Sequence, residues 1–161
     1  MQKTLGRLIL SSVVLVLFGC AAGSGGPTTY REQLGMATPG DLAQEVRRII
    51  EEYHYEMETE DSSITYQVYQ TRWKGRTPFQ DELDSGVVEA MTKFTVTGRA
   101  RGGGSTGAAN VRVAEFVAEN RVRYAESGEW NLGLYTPMFR EYAKDISGQL
   151  RARLTSGIRV Y

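Results

Sequence analysis

Apolar residues recur in this chain with two different periods, and the change of period divides it into elements. Leu42, Val46, Ile49, Ile50 and Tyr53 fall three and four positions apart, which places them on one face of a helix. Thr38 precedes that face as an N-cap, Pro39 suits the first helical position, and Asp41 stands where a capping box puts its acid. Glu45, Arg48, Glu51 and Glu52 fall mostly on the solvent side. The helix is expected to fade near His54 and Tyr55 and to give way to an acidic loop over 56–63. The period then becomes two. Ile64, Tyr66 and Val68 alternate with Thr65, Gln67 and Tyr69 in a first strand that extends toward Lys74, and Gly75 to Pro78 break it. A polar loop over 77–86 follows. Val88, Ala90, Phe94, Val96 and Ala100 line one face of a long second strand, with Glu89, Lys93, Thr95, Thr97 and Arg99 on the other. A Gly-rich hairpin loop over 102–109 leads to a third strand with Ala114, Phe116, Ala118, Val122 and Tyr124 on its core face. Helical spacing returns after Thr136 and Pro137, with Met138, Phe139, Tyr142, Ala143, Ile146, Leu150 and Leu154 as the apolar stripe. Gly157 suits the C′ position, and 158–161 form a short extension. The pattern predicts an α+β domain, a two-layer sandwich of helix, three-stranded antiparallel meander and helix.

The first forty residues carry a different signal. Lys3 and Arg7 precede an almost wholly apolar run from Leu8 to Phe18. A bilayer-spanning helix needs about 20 apolar residues, so this run is too short to span and reads as a secretory signal. It ends in Leu17-Phe18-Gly19-Cys20, which resembles the lipobox of bacterial lipoproteins, with Phe18 where a small residue is usual. The resemblance implies diacylglycerol on the Cys20 thiol, cleavage before Cys20 and a further acyl chain on the new amine. Palmitate labelling reports such a modification. Each buried methylene contributes about 0.8 kcal/mol, so two or three chains hold a protein where one holds only marginally. Ala21 stands where an Asp retains enterobacterial lipoproteins at the inner membrane, so the resemblance implies the periplasmic side of the outer membrane. An ordinary signal peptide cut elsewhere, or a short buried helix, is the alternative that the residues themselves leave open.

The expected organisation is therefore a signal peptide over 1–19, the lipidated Cys20 with a flexible tether over 20–40, and a single domain over 41–161. Gly, Ser, Thr and Pro dominate the tether, a composition that buries too little apolar surface to order itself. As a coil of twenty residues it would span roughly 25 Å. Tyr30, Leu34 and Met36 are its candidates for docking onto the domain.

Charge and chemistry narrow the function classes. Lysines and arginines equal aspartates and glutamates, and loss of residues 1–19 removes Lys3 and Arg7 to leave a net charge of −2. A nucleic-acid-binding domain would be strongly basic. Cys20 is the only cysteine, so no disulfide staples the chain. Gly102, Gly104 and Gly107 match G-x-G-x-x-G, but a strand follows where a dinucleotide site needs a helix, and Ala108-Ala109 stand where a phosphate loop needs Lys. A hairpin connection explains these glycines. His54 is the only histidine, set among Glu51, Glu52, Glu56 and Glu58, without the several N or S ligands of a zinc site. There is no second His or Cys for a nucleophile–base pair, and no elbow motif surrounds Ser62 and Ser63. The chain reads as non-enzymatic, with no cofactor and no metal. Arg99, Arg101, Arg112, Arg121 and Arg123 have Glu115, Glu119 and Glu126 as neighbours, which predicts a solvated mixed-charge face.

Two helices readily cover one face of a sheet. On the other, the alternation projects Tyr69, Trp73, Met91, Val111, Val113 and Val117 as a candidate partner surface. The tether or residues 77–86 are the alternative cover. The third strand would also be a free edge, open to pairing with another chain. A lipobox followed by helix, meander and helix resembles, in topology over roughly Leu42 to Leu154, the lipopolysaccharide-assembly outer-membrane lipoprotein family. That family has a strand before its first helix, where this chain has its Gly-rich stretch. The expected function is a non-catalytic, membrane-anchored envelope lipoprotein that binds or assembles with an envelope protein. The alternatives are a module for lipid or another small hydrophobic ligand and, below that, a hydrolase of envelope polymers with His54 as base.

Overall fold

A computed structural model describes residues 28–101, 111–133 and 135–157. Cys20 with its signal segment, the hairpin loop over 102–109 and the extension over 158–161 lie outside the described residues. The chain is α+β, with a mainly antiparallel sheet. Its elements run β1 (Thr29–Ala37), α1 (Pro39–Glu52), β2 (Met57–Ser62), β3 (Tyr66–Thr71), β4 (Lys74–Arg76), α2 (Gln80–Leu83), β5 (Val87–Ala100), β6 (Arg112–Tyr124), β7 (Trp130–Leu132) and α3 (Pro137–Gly157). The three predicted strands correspond to β3, β5 and β6 of a seven-stranded sheet ordered β1-β6-β5-β3-β2. β4 continues beside β5 where β3 leaves off, and β7 lies along β6 past the end of β1.

The largest correction is β1. The stretch expected to be tether up to residue 40 is strand from Thr29, paired antiparallel with β6. Tyr30 and Leu34 are buried, whereas Met36 is exposed. Two features hide this strand from its period. A bulge between Gln33 and Gly35 breaks the alternation, and Gly35 has φ +103°, which glycine adopts without a Cβ penalty. Glu32 also turns inward, where it accepts hydrogen bonds from the Tyr30 and Ser147 hydroxyls and pairs with Arg151. A second correction follows. β6 is flanked by β1 and β5, so it is an interior strand and offers no free edge along Arg112–Glu119.

Both long helices begin as the sequence predicts. The Asp41 amide donates to the Thr38 hydroxyl at 3.1 Å, and the Phe139 amide donates to the Thr136 hydroxyl at 3.2 Å. Their apolar stripes meet one face of the sheet in a single core. Leu42, Val46 and Ile49 of α1, Phe139, Ile146, Leu150 and Leu154 of α3, and Phe94, Val96 and Phe116 of the sheet are all buried there. Full burial of a large apolar side chain contributes about 1.5–3 kcal/mol, so this shared core dominates the stability. α1 comes very close to β5. A Cβ on Gly98 would lie 2.5 Å from Leu42 Cδ2 and 3.3 Å from Arg112 Cβ, a gap that only glycine leaves open.

The polar loop over 77–86 holds the short helix α2, fixed by a buried charge cluster. Glu82 accepts from Arg76 at 2.7 Å through both oxygens, from Asn120 Nδ2 at 2.7 Å and from the Phe79 amide at 2.8 Å. Burial pushes the Glu82 carboxyl up, but Arg76, the Phe79 amide and Asn120 together outweigh it and hold the group below the usual carboxylate range. Asp81 extends the joint by accepting from the Met138 amide, in the first turn of α3, at 2.9 Å. The loop therefore packs on the helix side of the sheet and does not cover the other face.

Candidate functional site

The register assigns each sheet residue to a face. Directly opposed pairs share one, so Lys93 with Glu119, Thr95 with Val117, Thr97 with Glu115, Arg99 with Val113 and Met91 with Arg121 all project away from the helices. β3 adds Tyr66 opposite Arg99 and Val68 opposite Thr97. α1 and α3 bury their stripes on the opposite side. Among the described residues, no helix covers this second face.

Trp73 reaches the open face through a local irregularity. From Gln70↔Thr95 to Lys74↔Thr92, the β3–β4 side inserts three residues against two on β5. In that bulge the Thr71 hydroxyl donates to the Phe94 carbonyl at 3.3 Å and accepts from the Phe94 amide at 3.1 Å, replacing the missing ladder bonds. Two cations approach the Trp73 ring, with the Arg121 guanidinium 4.5 Å and the Lys93 ammonium 5.0 Å from its centroid. Lys93 also pairs with Glu119 at 3.1 Å. Arg99 lies over Tyr66 at 6.0 Å, and Arg31 pairs loosely with Glu115 at 3.8 Å. The face thus alternates apolar area with cations seated on aromatic rings.

Of the predicted surface residues, Trp73, Met91, Val113 and Val117 are half-buried on or beside this face, and Val111 is half-buried just before β6. Tyr69 does not belong with them. It is 1% exposed in the core, and its hydroxyl accepts from Gln67 Nε2 at 3.0 Å. The whole of β3 is inverted relative to its expected phase. Gln67, Tyr69 and Thr71 face the helices, while Tyr66 and Val68 face outward. Aliphatic content favoured the wrong side, because Gln67, which donates through Nε2, and Thr71, which bonds Phe94, are buried yet carry no apolar signature. Among the five arginines, Arg112 is buried on the helix side and donates to the Ile64 carbonyl at 2.6 Å. Sequence reasoning also missed Trp130 and Leu132 of β7, which oppose Arg123 and Arg121 on the open face.

His54 closes a helix. Its amide donates to the Glu51 carbonyl and the Tyr55 amide donates to that of Ile50, the pair of bonds of a Schellman end, with His54 in the left-handed region at φ 54°. Among the described residues, no group of three or more His, Cys, Asp and Glu side chains is placed to hold a metal. The phenols nearby join the two long helices. Tyr55 and Tyr142 share a 2.9 Å hydroxyl contact, and the Tyr53 hydroxyl donates to Asp145 at 2.6 Å. Burial pushes all three phenols up, and the Asp145 carboxylate adds to the rise at Tyr53, so none of them ionises near neutrality. No helix of the described residues is long and apolar enough to cross a membrane. No protein-family model matches the chain, and no curated protein matches it.

Proposed function

We infer that this chain is a lipid-anchored envelope protein whose domain binds a protein partner through the open face of its sheet, without catalysis. The observation that carries the reading is the half-exposed set Trp73, Met91, Val113 and Val117 on a face that no described helix covers. Apolar area held beside cations that lie on aromatic rings suits a partner with its own aromatic and acidic groups. The two-layer arrangement serves that role, because the helices stabilise the sheet from one side and leave the other for recognition. The resemblance to the lipopolysaccharide-assembly lipoproteins calls for a strand before the first helix, and β1 stands there. The lipobox at Cys20 supports an anchor at the outer membrane, on its periplasmic side.

A photo-crosslinking residue tests this reading in intact cells. Placed at Val117 on the open face, it should yield a discrete adduct with an envelope protein, whereas the same residue at Gln44 on α1 should not. Equal adducts from both positions, or none from Val117, would remove the reading. Metabolic palmitate labelling that is lost in Cys20→Ser tests the anchor separately.

A further inference from the structure

The place where the chain joins the sheet carries a second, smaller feature. Thr29 opposes Glu119 on β6, and the next position on that side of the ladder is taken by β7, with Leu132 opposite Arg121. The chain therefore enters the sheet directly beside Leu132. Nine residue steps separate Cys20 from Thr29 and reach at most about 30 Å. β7 exposes Leu132 at 56% and Trp130 at 38%, and Val88 at the same end of the sheet is 48% exposed. Among the described residues seven large apolar side chains are exposed, and three of them, Val88, Trp130 and Leu132, lie at this corner. Its charges nearly balance. Arg123 lies over Trp130 and pairs with Glu89, and Glu129 adjoins Trp130 in sequence. Such a corner suits contact with the apolar margin of a bilayer rather than electrostatic capture, and the indole is the side chain that settles at that boundary.

We propose that Trp130 and Leu132 seat the domain on the lipid surface beside its own anchor. The inference rests on the Cys20 reading and adds to it an orientation. The β1–β7 margin of the sheet lies against the membrane, which turns the Arg121–Arg123 end of the open face toward the lipid and leaves its other end, at Val113 and Val117, for a partner. A protein hung on a tether of twenty residues would have no such constraint. With β1 formed, fewer than half of those residues separate the anchor from the fold.

The chain has two tryptophans, so each can be read alone. The full-length protein, recovered with its lipid from membranes, would be reconstituted into phosphatidylcholine vesicles with brominated acyl chains. In Trp73→Phe, the remaining Trp130 should lose about half of its emission relative to unbrominated vesicles, as expected for an indole at the interface. In Trp130→Phe, the remaining Trp73, which is half-buried and set back from the margin beside Lys93 and Arg121, should lose less. Adding Leu132→Asp to Trp73→Phe should reduce the quenching severalfold while the protein still floats with the vesicles, because β7 is a short exposed margin that the core does not depend on. Protein that floats without quenching of Trp130 would overturn the seating and leave the anchor standing. Protein that does not float would overturn both.

Discussion

Phe116 and Val117 are adjacent on β6, yet one is fully buried against two helices and the other shares a half-exposed face with Thr95. The same contrast runs along β5 from Phe94 to Lys93 and Thr95. Both faces are built from the same two strands with the same ladder bonds, so backbone pairing does not distinguish them. What differs is the cover. α1 and α3 exclude water from one side and convert its apolar area into stability. The open side keeps its apolar area in partial contact with water, interrupted by Lys93, Glu119, Arg121 and Arg99. A side chain on the covered face is thus held by its contribution to folding, and one on the open face contributes less to it.

The largest expected effect tests that contrast directly. Phe116→Ala should destabilise the domain by about 3–5 kcal/mol through the lost ring and the cavity it leaves, whereas Val117→Ser should cost under about 1 kcal/mol. Urea unfolding midpoints measure both. If Val117→Ser proves as costly as Phe116→Ala, something covers the open face and the contrast fails.

A somewhat smaller effect probes a deeply buried charge on the covered side. Glu82 is 1% exposed and is held below its ordinary carboxylate value of 4.5, so its folded form binds a proton less readily than its unfolded form. Its contribution is therefore fully present above the unfolded value and is lost as pH falls through the lower folded one. Glu82→Gln leaves Arg76 buried without a carboxylate and should cost about 3 kcal/mol near neutral pH. It should also flatten the loss of stability that the unsubstituted protein shows below about pH 4.5. Parallel acid slopes for the two proteins, followed by thermal unfolding across pH, would show that Glu82 carries no such linkage.

The smallest effect lies in the covering layer. His54 occupies a left-handed position at the end of α1 that costs an L-residue roughly 1 kcal/mol or more, so His54→Gly should raise stability by up to about 1 kcal/mol. Crosslinking from Val117 should be unchanged in that variant. A loss of stability would mean that the imidazole contributes more than its backbone position costs.

These contrasts were unevenly legible in the sequence. The helix starts at Thr38 and Thr136 and most of the core faces of β5 and β6 follow from period and capping alone, because a cap is local and a long strand repeats its signal many times. Val88, expected on the core face, is 48% exposed because a register shift between Val87 and Glu89 changes the phase. β3 is short, and its buried members Gln67 and Thr71 are polar, so periodicity chose the wrong phase and placed Tyr69 outside. β1 was obscured by a bulge, an inward glutamate and a Gly-rich approach. The open face was legible at Trp73, Met91, Val113 and Val117, but its margin at Trp130 and Leu132 was not, since a three-residue strand has too few positions to show a period.

By itself the sequence determined the elements with enough repeats to declare themselves, and it supplied the address at Cys20 as an expectation. Only the tertiary structure decided which strand lies inside the sheet, which way β3 faces, and that the chain joins the fold at Thr29 beside β7. The reason is physical. Periodicity and capping are read within a few residues, whereas strand order, register and the satisfaction of buried polar groups depend on partners a hundred residues away, as Glu32 depends on Ser147 and Arg151.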